Sequence, residues 1–190
     1  MKTVRISKEQ MAKRISRFDK LRPLPIQNAS IPEKARDVIY SRKLLSVIGL
    51  EENAQTPINA EAPIIGAAGM TMTLAVCPAG QGPGLHSHRQ TYETFTVLKG
   101  EFEVRWNDDG SESAVLRQLD TISFPPGVCR AFRNVGEAEG ILQVIITGGV
   151  HDMTDIAFSS KAKREIEAVR PGLAAEFEKV GFTFDAGERK

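Results

Sequence analysis

Cysteine is scarce in this 190-residue chain, with Cys77 and Cys129 alone, so no disulfide framework holds it together. Such usage fits a reducing compartment, and the cytoplasm is the expected location. Aromatic residues are few as well, one Trp, two Tyr and nine Phe, and histidine occurs three times. No uninterrupted apolar run approaches the roughly 20 residues that span a bilayer. The charged N-terminus also lacks the apolar stretch of a secretion signal, so no membrane partner is expected. Formal charge is +1 at pH 7, which gives no global attraction to polyanions. Nothing repeats internally. The run Gly80-Gln81-Gly82-Pro83-Gly84 lacks the Lys-Ser/Thr that completes a phosphate-binding loop.

Charge is nonetheless uneven. Lys2, Arg5, Lys8, Lys13, Arg14, Arg17, Lys20, Arg22, Lys34, Arg36, Arg42 and Lys43 stand against Glu9, Asp19, Glu33 and Asp37. An arm of this kind suits nucleic acid or an acidic protein. Phe18 and Tyr40, however, supply little of the aromatic interleaving that base stacking uses. A solvated face beside the main fold is the simpler account, and nucleic acid is not an expected partner.

Local patterns divide the chain into an arm over 1–43, a β region over 44–155 and a helical segment over 156–190. Ser7 with Gln10 three residues on forms a capping box, and Met11, Ile15 and Phe18 follow at helical spacing. That helix should end before Pro23. A second short helix is expected from Ser30 to Arg42, with Pro32 near its first position and Glu33 in its first turn. Strand patterns follow at 44–50, 70–76, 93–99, 101–106, 114–119 and 141–147. In Glu101–Trp106 the alternation places Phe102, Val104 and Trp106 on one face and charges on the other. Asn107-Asp108-Asp109-Gly110 is a turn signal. Short strands separated by Gly, Pro and Asn turns indicate an all-β sandwich or barrel. Two helices are expected at 162–169 and 173–180, broken at Pro171-Gly172 and covering a sheet edge.

The chemistry concentrates between Gly80 and Gly100. His86 and His88 are two apart on a strand, so both imidazoles point into one space. Glu93 opens the next apolar run and offers a carboxylate to that space. Two imidazoles and a carboxylate suit a divalent transition metal with open positions for water or substrate.

Gly80, His86, His88, Glu93 and Gly100 fit every position of the first motif of the cupin superfamily, which this stretch resembles. The second motif is matched at Pro125, Gly127 and Asn134, while Leu119 stands where the family has a glycine and Arg130 where it has a third metal-binding histidine. The resemblance covers 70–148 and implies an antiparallel jelly-roll (cupin) barrel with short N- and C-terminal helices. It further implies a homodimer and a divalent metal on His86, His88 and Glu93, Fe(II) first, with Mn, Ni or Zn as alternatives.

Alternation from the family position places Arg130, Phe132 and Asn134 inward and Cys129 outward, as an inert packed residue. Three accounts of Arg130 stand side by side. It anchors the anion of a substrate beside the metal, since its planar fork matches a carboxylate. Alternatively it pairs with Glu93 and takes the metal's place. In the third account it reaches the barrel mouth and leaves the metal undisturbed. His151, in a loop, is either a solvent-exposed side chain or local hydrogen-bond partner, or else a fourth ligand or general base over the mouth. Tyr92 and Gln143 are candidate pocket hydrogen-bonders, with Tyr92 a proton-handling candidate. The leading expectation is a metal-dependent dioxygenase, an oxidoreductase acting on a small anionic organic or aromatic substrate. A non-catalytic small-molecule binder and a metal-dependent isomerase or epimerase are the alternatives.

Overall fold

The computed structural model describes residues 1–25, 30–50, 57–148 and 153–188. Strands β1 (Lys43–Leu50), β2 (Ile64–Ala67), β3 (Met70–Cys77), β4 (His86–His88), β5 (Tyr92–Lys99) and β6 (Phe102–Trp106) come first. They are followed by β7 (Glu112–Leu116), β8 (Thr121–Phe124), β9 (Arg130–Asn134), β10 (Gly140–Thr147), β11 (Ile156–Ser159) and β12 (Thr183–Ala186). One six-stranded sheet runs β2-β1-β3-β10-β5-β8 and the other β12-β11-β4-β9-β6-β7. Interior pairs are antiparallel, but β1–β2 and β11–β12 are parallel, a departure from the fully antiparallel expectation. Among the described residues the two sheets stay separate instead of closing into one continuous barrel.

Alternation builds the core. Ala75, Phe95, Val97, Leu142 and Val144 from the first sheet meet Phe102, Val104 and Phe132 from the second, all buried. Phe95 and Phe132 cross edge to face at a centroid distance of 5.1 Å, the preferred geometry for aromatic pairs. The outward residues of β6, Glu103 and Arg105, pair with each other instead. Asn134 stitches the sheets' ends: its Nδ2 donates to the Cys77 and Ala138 carbonyls at 2.8 Å, and its Oδ1 accepts from Gly136 N at 3.0 Å. Gly82 is required where it is, because a Cβ there would lie 1.9 Å from the Phe132 carbonyl oxygen.

Among the described residues five α-helices flank the sheets: α1 (Lys8–Ala12), α2 (Glu33–Ile39), α3 (Pro57–Glu61), α4 (Ser160–Val169) and α5 (Leu173–Glu178). A second core joins Ile39 and Tyr40 to Phe158, Ile166, Leu173, Phe177 and Phe182. The expected first helix shrinks to a single capped turn, and Met11, Ile15 and Phe18 are exposed. Its apolar stripe meets no partner surface, and so short a helix is marginal without one. The expected helices at 162–169 and 173–180 are present as α4 and α5, with β11 and β12 added on either side of them. β11 pairs with β4, so the C-terminal segment extends the sheet that carries the histidines. No described helix is long and apolar enough to cross a membrane.

Candidate metal centre

His86 and His88 lie at the two ends of the three-residue strand β4, and both side chains are buried. β4 is short because Pro83-Gly84 precedes it and the chain must turn back into β5. Glu93 sits second in β5, on the inner face with Phe95 and Val97. The ligand atoms of His86, His88 and Glu93 all lie within 4.8 Å of one another. His86 Nε2 is 3.5 Å from Glu93 Oε2 and His88 Nε2 is 3.9 Å from Oε1. Donors held about 2.0–2.2 Å from one ion are roughly 3–4 Å apart, so the cluster closes on an ion with little movement.

The hydrogen bonds fix both imidazole tautomers. His86 Nδ1 is 2.9 Å from the Gly84 carbonyl, which can only accept, so Nδ1 carries the proton. Thr91 Oγ1 donates to Asp155 Oδ2 at 2.5 Å and therefore accepts from His88 Nδ1 at 2.7 Å. Each Nε2 is left with its lone pair toward Glu93. Burial opposes a charge on His88, and the charge of Arg130 opposes it further, which outweighs the pull of Glu93 and Asp155. Asp155 is also resisted by burial, yet its bonds to His88, Thr91 and Gln90 hold its carboxyl down to about 2. For Glu93 burial again favours the neutral form, but the Arg130 guanidinium beside it overrides this and keeps the group well below the usual carboxylate range. Two lone pairs facing an ionised carboxylate across a buried gap form a donor set suited to a cation. An imidazole whose far nitrogen is tied to a carbonyl or to a hydroxyl–carboxylate pair is the usual support for such a set.

Arg130 faces inward from β9, in register with His86, and is fully buried. Its Nε donates to Glu93 Oε2 at 2.7 Å and its Nη1 to the Val128 carbonyl at 3.2 Å. Nη2 is sealed and has no partner among the described residues. The guanidinium thus occupies one oxygen of Glu93 and leaves three ligand atoms for an ion.

The triad borders a cavity of ≈ 110 Å3 lined mainly by apolar side chains, among them Ile39, Leu44, Val144, Ile146, Phe158 and Phe182. Arg130 is not part of this lining. Of the other candidates, Tyr92 is 49 % exposed on the outer face of β5, so the structure does not bring it to the site. It neighbours Glu93 in a strand and therefore points the other way. Gln143 alternates with the inward Leu142 and Val144, and its amide contacts Met72 on the outer side. His151 lies outside the described residues. Cys129 is buried with Ala157 and Ala186, away from the triad. Sequence reasoning missed Thr91 and Asp155, which orient His88 from 64 residues apart. The position of Asp155 before a strand carried no local signal.

Fold and site together define a two-sheet β protein with a buried His-His-Glu cluster able to hold a metal. Residues 73–146 match the Cupin domain family model, so this stretch of the chain carries a cupin domain. Among solved structures it is similar to an oxalate oxidase at 27% identity, with 46% of this chain and 45% of that one covered and a TM-score of 0.40. It is also similar to the Cnp3 cupin domain of Schizosaccharomyces pombe, at 17% identity, 55% and 64% coverage and a TM-score of 0.42. A third similarity, to DMSP lyases, has 16% identity, 60% and 51% coverage and a TM-score of 0.47. The chain spans about half the length of the oxalate oxidase chain. No curated protein matches the sequence.

Proposed function

We propose that this protein is a divalent-metal cupin enzyme of the oxygenase type, acting on a small organic molecule held in the apolar cavity. The two sheets are read here as halves of a jelly-roll barrel, with His86, His88 and Glu93 as the metal ligands. One observation carries the proposal: both Nδ1–H groups are committed to partners behind the rings, which turns both Nε2 lone pairs toward an ionised Glu93. Bound there, Fe(II) or a related ion would supply Lewis acidity and open positions for substrate or dioxygen.

The chain's own residues do the rest. Thr91 and Asp155 hold His88 in its ligand tautomer, and Gly84 does the same for His86. Arg130 keeps Glu93 ionised and fixes the rotation of its carboxylate. The apolar lining excludes water from the reacting end of the substrate. Because Arg130 does not border the cavity, we assign it to Glu93 in place of a role as substrate anchor. The proton-handling role considered for Tyr92 is withdrawn on its exposure.

A second reading has a specific observation behind it. Arg130 Nε is nearer to Glu93 than either imidazole is, as expected if the guanidinium stood in for the ion and the protein bound a small molecule without turnover. Metal analysis of tag-free protein after anaerobic Fe(II) reconstitution separates the two. Near one equivalent supports the metal centre, and less than roughly a tenth refutes it. Turnover that persists without dioxygen would move the assignment to an isomerase or epimerase. The remaining parts of the proposal are a cytoplasmic homodimer; light scattering at the single-chain mass of 20.8 kDa would contradict the dimer.

A further inference from the structure

Much of the cavity's lining comes from outside the matched cupin segment 73–146: Leu24, Ile39 and Tyr40 on one side, Met153, Phe158 and Phe182 on the other. Three hydroxyl-bearing residues interrupt this apolar surface; Ser41 donates to the Lys43 carbonyl, which leaves Tyr40 and Thr73. They are 8% and 3% exposed. Neither hydroxyl has a hydrogen-bond partner among the described residues. Neither is sealed either, since the sealed and unpartnered side-chain atoms among those residues are Arg36 Nε and Arg130 Nη2. Two hydroxyls without a protein partner among the described residues therefore sit on almost wholly buried residues that line the cavity.

Leaving such groups unpaired in apolar surroundings is costly, and a ligand oxygen or water removes the cost. Both are held firmly. The Tyr40 ring contacts Phe182 and Phe177 at centroid distances of 6.0 and 6.5 Å. Thr73 is fixed in β3 between Ser46 and Val144. Burial pushes the Tyr40 phenol well above its ordinary range, so it is a neutral donor.

We propose that Tyr40 and Thr73 are the recognition pair of this cavity, hydrogen-bonding the distal oxygen of a short-chain hydroxy or oxo acid. Its carboxylate would lie toward His86, His88 and Glu93, and its apolar body would fill the space between. A volume of ≈ 110 Å3 suits a chain of roughly four or five carbons, given that cavities near 150 Å3 admit benzene. The carboxylate's placement rests on the metal-centre reading; the hydroxyl contacts do not.

The test uses a near-isosteric pair, 4-hydroxybutanoate and pentanoate, titrated by saturation-transfer NMR into zinc-loaded and metal-free protein. The ratio of the two affinities is compared among wild type, Tyr40→Phe, Thr73→Val and the double variant. We expect the ratio to shift toward pentanoate by at least about fivefold in the double variant, the worth of one neutral hydrogen bond. Tyr40→Phe should melt no lower than wild type, because its hydroxyl has no protein partner to lose. An unchanged ratio, no binding of either acid in either form, or a clearly lowered melting temperature of Tyr40→Phe would overturn the proposal. Zinc uptake, measured separately, decides the metal reading, whereas the ratio in metal-free protein decides the recognition pair.

Discussion

Replacing Arg130 with histidine exchanges a fixed cation for a neutral donor at the position where the metal charge would be felt most. Arg130 Nε is 2.7 Å from Glu93 Oε2. An ion about 2.1 Å from that carboxylate would then lie roughly 4–5 Å from the guanidinium. At an effective dielectric of about 20, a unit charge and a divalent ion 5 Å apart repel by about 7 kcal/mol. Much of this is lost in the measured affinity, because Glu93 without its counter-cation binds a proton that the ion must displace. A tightening of at least tenfold, about 1.4 kcal/mol, is the expected floor for Arg130→His. Arg130→Gln, which adds no imidazole, should gain less.

Stability should move in the opposite direction without metal. Breaking a buried pair by removing one partner costs about 3–5 kcal/mol. At about 2–4 °C per kcal/mol for a chain of this size, the metal-free variant should melt roughly 6–20 °C lower. Zinc should recover most of that loss. The assay is calorimetric titration of Zn(II) into tag-free wild type and both variants, paired with melting curves. Zinc binding no tighter in either variant than in wild type would refute the idea that the guanidinium competes with an ion. An unchanged metal-free melting temperature would refute the Arg130–Glu93 pairing itself.

Asp155→Asn should weaken zinc binding about 10–100-fold, since it loosens the support that holds the His88 tautomer; an unchanged titration would remove Asp155 from the account. Leu119 adopts φ 76 and is 75% exposed, so Leu119→Gly should stabilise the fold by about 1 kcal/mol in urea unfolding, and a loss would contradict the strain argument. Burial pushes the Cys77 and Cys129 thiols up to about 12 and about 11, so both stay protonated at pH 8. The thiolate fraction of Cys129 then rises tenfold per pH unit as pH climbs toward 11. Iodoacetamide labelling of native protein at pH 8 should be far slower than for a free thiol, and comparable rates would refute the burial of these side chains.

Much of the site was legible because strand periodicity is unforgiving. His86 and His88 at a spacing of two, Glu93 opening an apolar run, and the inward direction of Arg130 follow from alternation, and all four side chains are buried together. The same rule placed Tyr92 on the outer face, and its proximity to Glu93 in sequence was misleading. Less was legible at longer range. Asp155 reaches His88 both directly, at 3.2 Å from Nδ1, and through Thr91, and no local pattern marks a residue whose Thr91 partner is 64 positions away. β2, β11 and β12 are four residues each, too short for a period to declare itself. The cavity owes its apolar character to Tyr40, Phe158 and Phe182, whose meeting depends on how α2 and the C-terminal segment fold over the sheets.

A crystal structure of tag-free, metal-reconstituted protein, with diffraction recorded on both sides of the ion's absorption edge, reads the central arrangement most directly. An anomalous peak about 2.0–2.2 Å from His86 Nε2, His88 Nε2 and a Glu93 oxygen is the predicted result. Density for the Arg130 guanidinium filling that position, with no anomalous signal there, would contradict it.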